Sequence, residues 1–297
     1  MPSAQNAYRD RLFSYIFGSE ENKAWTLELY NAVNGSDYKD PSRIQINTIK
    51  EVLYMGMHND VSFLITEEMN LYEQQSTFCP NLPVRLLQYL GNLYEKYMVE
   101  NNLNKYGRRL IMLPVPKLVV FYNGRDEMED ETMLHLSDSF PEGSTADIEV
   151  TVRMLNINYG KNKKLLDACE PLKEYSWLMK RIRTYIDEGL ETIDAINKAI
   201  RETPEDYVLK PFLVAHKTEV SGLLLTEYDE AKTMELFRLD GVEEGRKEGR
   251  KEGRKEGVDQ MATLMKDLLE QGRIEDAQKA AVDEEARKLL FVEFGLI

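Results

Sequence analysis

The sequence predicts an α/β fold, a mixed central sheet flanked by helices with a helical C-terminal region. Two patterns carry this expectation. Between residues 44 and 158, short apolar or alternating runs bounded by turn residues are interleaved with amphipathic stretches of helical period. From Lys161 to about Leu239 the pattern is mostly helical. Helices interspersed among strands in this way favour a sheet covered by helices.

The elements follow in order. Tyr8 to Phe17 reads as a first helix, with Leu12, Tyr15 and Ile16 at helical spacing; Gly18 and Ser19 break it. A second helix runs from about Glu21 to Val33, and Asn34-Gly35 stops it. Ile44 to Met55 is extended, with Ile44, Ile46 and Thr48 alternating with polar neighbours. Asn59 to Ile65 and Leu71 to Thr77 read as two strands joined by a polar turn. Pro80 and Pro83 punctuate the next turn, and Val84 to Val99 is an amphipathic helix. The apolar run Lys117 to Tyr122, ended by Asn123-Gly124, reads as a buried strand. After an acidic loop, Asp147 to Asn158 alternates and gives one more strand. Pro171, Pro204 and Pro211 mark breaks or starts among the helices that follow.

The tail has its own composition. Glycine stands at 241, 245, 249, 253 and 257, with Arg-Lys-Glu between the later ones. Glu–Lys pairs three apart support a helix, whereas each glycine opposes it by about 1 kcal/mol relative to alanine. A four-residue repeat also drifts around a helix, so its glycines trace a spiral. The segment reads as a marginal helix or an extended linker, with a glycine contact between chains or a strip touching phosphate as the functional alternatives. Asp259 to Gln271 and Ile274 to Phe294 read as two short amphipathic helices able to pack together or dimerise. The expected organisation is a core over 1–160, a helical extension over 161–240, the repeat linker over 241–258 and a helical tail over 259–297.

Composition bounds the function. The chain has 297 residues, a hydrophobic fraction of 42% and a net charge of −14. Such a charge counts against a protein that coats nucleic acid, yet a local basic groove still admits a nuclease. No run of about 18 apolar residues occurs, so no spanning helix and no membrane partner is expected. The polar N-terminus, Met1 to Arg11, lacks an apolar signal core, and a cytoplasmic location is the expectation. Cys79 and Cys169 imply no disulfide framework, and the three histidines lack zinc spacing. Five acids lie between Asp126 and Glu131, where a solvated loop is the simpler reading.

The chemistry-bearing residues lie on the central hairpin. With a turn centred between Glu67 and Glu68, opposed residues sum to 135, so Asp60 faces Gln75 and Glu73 faces Ser62. Asp60, Glu73 and Gln75 then emerge on one face, because opposed residues share a face and side chains alternate. Two carboxylates so placed are able to hold a hard divalent cation, Mg²⁺ or another such as Mn²⁺. Gln75 carries no charge and only orients water or phosphate. An acid pair on neighbouring strands is also a common surface feature, with Asp60 as a turn residue and Glu73 as an edge charge.

Longer stretches carry a resemblance. They are Asp10 to Gly18 (DRLFSYIFG), Leu29 to Gly35 (LYNAVNG), Asn59 to Ile65 (NDVSFLI), Tyr72 to Thr77 (YEQQST), Asn81 to Arg85 (NLPVR), Val119 to Gly124 (VVFYNG), Leu136 to Phe140 (LSDSF) and Leu155 to Asn158 (LNIN). Together with the glycine-charge tail, over roughly residues 5 to 260, they resemble the PD-(D/E)XK nuclease-family transposases, also called recombination-promoting nucleases. The resemblance implies a restriction-endonuclease-like core and a metal-dependent DNA endonuclease linked to recombination or mobile elements. It implies Asp60 and Glu73 as metal ligands and Gln75 where the wider superfamily often has lysine. Asp10 is similar to an accessory acid of some members, and equally reads as a helix N-cap. Gln74 stands where relatives often have histidine. Ser76 and Thr77 are candidates to contact phosphate, and Arg85 to reach DNA or pair with an acid. Lys105/Arg108/Arg109, Lys161/Lys163/Lys164 and Lys180/Arg181/Arg183 are candidate DNA contacts. The alternatives are a catalytically degenerate nuclease fold that binds DNA or protein, and a homo-oligomer assembled through the tail.

Overall fold

The computed structural model describes residues 12–47 and 61–296, which form two compact units divided between Ala231 and Lys232. Asp10 and Asp60 lie outside the described residues, as do positions 48–55 of the expected extended stretch.

The first unit is built on a six-stranded mixed sheet. Its strands are β1 (Gln45–Ile46), β2 (Val61–Ile65), β3 (Glu68–Gln75), β4 (Val115–Tyr122), β5 (Glu131–His135) and β6 (Thr151–Asn156). They lie side by side in the order β1-β2-β3-β4-β6-β5. β3, β4 and β6 are mutually parallel, and the remaining pairings are antiparallel. A parallel β3–β4 pair needs a long crossover, supplied by helix α3 (Leu82–Glu100).

The hairpin register corrects the expected one. Val61 pairs with Tyr72, Phe63 with Asn70 and Ile65 with Glu68, so opposed positions sum to 133 rather than 135. The chain reverses tightly at Thr66-Glu67, where Thr66 takes a left-handed φ of 55°. Glu68, Met69 and Asn70 therefore belong to the strand and not to the turn. The shift is by two residues, so each side chain keeps its face.

The two faces of the sheet bury different helices. Val61, Phe63, Ile65, Tyr72, Val119 and Phe121 pack against α1 (Leu12–Phe17), α2 (Lys23–Asn34) and α5 (Glu170–Asp187). Met69, Leu71, Leu118, Val120 and Met154 pack against Leu82, Leu86, Tyr89 and Leu93 of α3. Each such fully buried large side chain contributes about 1.5–3 kcal/mol. The stop of α2 is the expected one: Gly35, at a φ of 64°, returns its N–H to the Asn31 carbonyl.

β5 was not among the expected strands. Only Leu134 of its five residues is buried, so the sequence there has little alternation to read. Pairing with β6 makes it an edge strand.

The helices α4 (Lys163–Ala168), α6 (Thr192–Glu202) and α7 (Lys210–Ala215) complete the layer over the first face. Two buried charges fix their ends. Glu174 of α5 accepts from the Val208 and Leu209 backbone N–H groups at the start of α7, at 2.9 and 2.8 Å. The Lys210 ammonium donates to the carbonyls of Ile200, Arg201 and Thr203, which end α6. Both satisfy backbone groups that a helix terminus leaves without partners.

Helix α8 (Lys217–Glu270) contains the glycine repeat, so the repeat is helical rather than extended. In the second unit Leu264 and Leu268 of α8 pack with Ala277 and Ala280 of α9 (Ile274–Val282) and Leu290 of α10 (Glu284–Glu293). One helix was expected from Ile274 to Phe294. It is split at Asp283, whose carboxylate accepts from the N–H groups of Glu285 and Ala286 and caps α10. Among the described residues no helix is long and apolar enough to cross a membrane.

Candidate functional site

Glu73 and Gln75 extend a row that begins with Met69 and Leu71, since alternate residues of β3 share a face. That face looks onto α3. The apolar packing ends at Leu71, and the next two positions of the row are polar and buried. Glu73 is 1% exposed and Gln75 7%. β3 lies between β2 and β4, so the reading of Glu73 as an exposed edge charge is not the observed one.

A buried carboxylate requires partners. The Gln75 side-chain amide donates to Glu73 Oε1 at 2.6 Å. The Arg85 guanidinium pairs with the same oxygen. Arg85 comes from the first turns of α3, which starts at Leu82 with Pro83 fixing its entry. Burial works against the charge of Arg85; Glu73, Tyr89 and Cys79 favour it, and the net direction is upward. Arg85 thus meets the second of its expected alternatives, pairing with an acid, and the acid is Glu73 itself.

Gln74 points to the opposite face. Its amide donates to Asn123 Oδ1 at 2.7 Å, just past the end of β4. Arg183 of α5 joins this end of the sheet, donating to the Asn123 carbonyl and, at 2.9 Å, to Asn158 Oδ1. Its neighbours in the expected basic cluster are also engaged within the protein. Arg181 pairs with Glu202 at 3.1 Å, and the Lys180 ammonium lies over the Tyr159 ring.

A cation site was tested on this geometry. Among the described residues no group of three or more His, Cys, Asp or Glu side chains is placed to hold a metal ion. The one carboxylate at the centre is compensated by Arg85 through the oxygen that also receives Gln75. The described residues, as arranged, do not fit a divalent cation.

The sequence did not single out the exposed apolar side chains of the loop between α3 and β4. Tyr106, Leu110 and Met112 are 77–90% exposed, interleaved with exposed Arg108 and Arg109. The loop enters β4 at Val115, which pairs with Glu68. Glu73 lies five residues further along β3, roughly 17 Å at the rise of a strand.

Comparison of the chain with models of protein families, with curated proteins and with solved structures found no match in any of the three.

Proposed function

We propose that this chain is a metal-dependent DNA endonuclease with a PD-(D/E)XK-like core, hydrolysing phosphodiester bonds in connection with recombination or mobile elements. The observation that carries the reading is the buried Glu73–Gln75 pair on an interior strand of a mixed sheet. An acid and an amide in such a position are expensive to keep and serve no apolar packing. The register adds support: one more rung beyond Val61–Tyr72 would set position 60 opposite Glu73, closer than the expected pairing of 60 with 75. Asp60 and Glu73 are the proposed ligands of Mg²⁺ or Mn²⁺, Gln75 orients the water or phosphate, and Asp10 is the proposed accessory acid. DNA is the proposed partner. In a chain of net charge −14, the exposed Arg108 and Arg109 beside Tyr106 form a local surface suited to phosphate and base. A cytoplasmic location and self-association through the tail belong to the same proposal.

Plasmid nicking by the purified protein tests it. Cleavage in Mg²⁺ is expected, and its loss in EDTA, in Asp60→Ala and in Glu73→Ala. Undiminished metal-dependent cleavage by both variants would remove these acids from the site.

The Arg85 contact favours a second reading, a degenerate nuclease fold that binds DNA or protein without cutting. Wild-type protein that binds duplex DNA and never nicks it, at any divalent cation tried, is the outcome that reading expects.

A further inference from the structure

We infer that Arg85 is a built-in counter-ion that competes with a divalent cation for Glu73. The inference rests on the nuclease reading above and explains why the described residues do not fit a cation as arranged. Three observations carry it. First, Arg85 and Gln75 both donate to Glu73 Oε1, so the carboxylate's charge is compensated within the chain. Second, the two partners differ in freedom. The Glu73 side chain is 2% exposed and fixed on an interior strand, whereas the Arg85 side chain is 31% exposed at the start of α3. Arg85 is therefore the partner with a route to solvent, and its long stem lets the guanidinium leave without backbone movement. Third, Gln75 brings no charge of its own, so Arg85 is the cation recorded at this carboxylate.

The consequence is electrostatic. A guanidinium and a divalent cation repel each other at neighbouring positions, and a buried site screens that repulsion weakly. One carboxylate oxygen does not serve both. Arg85 keeps the acid compensated while no cation is bound, and cation binding must displace it. Arg85 is in this sense a positioning residue, acting through Glu73.

Isothermal titration of the full-length protein with Mn²⁺ tests the inference, alongside thermal denaturation with and without Mn²⁺. Arg85→Ala is expected to bind Mn²⁺ at least tenfold more tightly than wild type. It is also expected to melt lower than wild type without Mn²⁺ and to recover more of that loss when Mn²⁺ is added. The gain should vanish in the double variant Arg85→Ala/Glu73→Gln. Should Arg85→Ala not fold for want of its charge, Arg85→Gln keeps a donor without the charge and carries the same expectation. Equal or weaker Mn²⁺ affinity in these variants overturns the inference and leaves the nuclease reading standing. No Mn²⁺ binding by wild type or by either variant overturns both.

Discussion

Gly124 shows how tightly the end of β4 is built. A Cβ at this position would lie 2.3 Å from the Ser76 carbonyl oxygen and 2.3 Å from the Tyr122 hydroxyl. The first is backbone and has little room to give. Gly124→Ala should therefore lose about 1–3 kcal/mol of stability, read as a lower urea midpoint. An unchanged midpoint would mean that the strand end yields. Glu174 gives a second prediction, in pH. Burial is the largest influence on its carboxyl and raises it above 4.5; the Leu209 and Val208 N–H groups pull it down, and Glu170 and Asp206 push it up. A raised carboxyl binds its proton more strongly in the folded state. Its contribution is complete below 4.5 and is lost as pH rises through the folded value. Wild type minus Glu174→Gln should thus give a stability difference that falls with rising pH just above 4.5. A difference that is flat or rises there contradicts the assignment.

At the scale of elements, punctuation decided what could be read. α2 ends at a glycine in the left-handed region, α3 begins at a proline, and β4 is an apolar run closed by Asn123-Gly124. Each of these was legible because the residue that ends the element has a physical reason to end it. β5 was not, because an edge strand with one buried residue has no strong alternation. The break at Asp283 was hidden inside a continuous helical period. The candidate site was legible in part. Period-two alternation put Glu73 and Gln75 on one face, and the structure keeps them there. The turn was misplaced because Glu68-Met69-Asn70 resembles a polar loop, although Met69 is fully buried. Arg85 meets Glu73 only through the direction in which α3 leaves its turn, a tertiary fact that strand spacing does not contain. The glycine repeat offers a test at this scale. A Cβ added at Gly245, Gly249, Gly253 or Gly257 meets nothing within 4 Å in this chain. Replacing all four with alanine should raise the thermal stability of α8, by up to about 1 kcal/mol per site in circular dichroism melts. Lower stability would mean that another helix packs against these glycines.

At the scale of the molecule, each unit has its own core. Val220 and Leu224, early in α8, belong to the core of the first unit, and Leu264 and Leu268 to that of the second. A chain ending at residue 231 keeps the first core whole. It should unfold cooperatively, with a midpoint close to that of the corresponding transition in the full-length protein. Loss of that transition would show that the second unit is needed for the first to fold. The central claim concerns the first unit alone: that its buried glutamate serves phosphodiester cleavage. The measurement that meets it most directly is a time course of supercoiled-plasmid nicking in Mg²⁺ by wild type and Glu73→Gln, with circular dichroism of both. The account predicts nicking by wild type, a loss of at least a hundredfold in the variant and matching spectra. Equal nicking by a folded Glu73→Gln protein would contradict it.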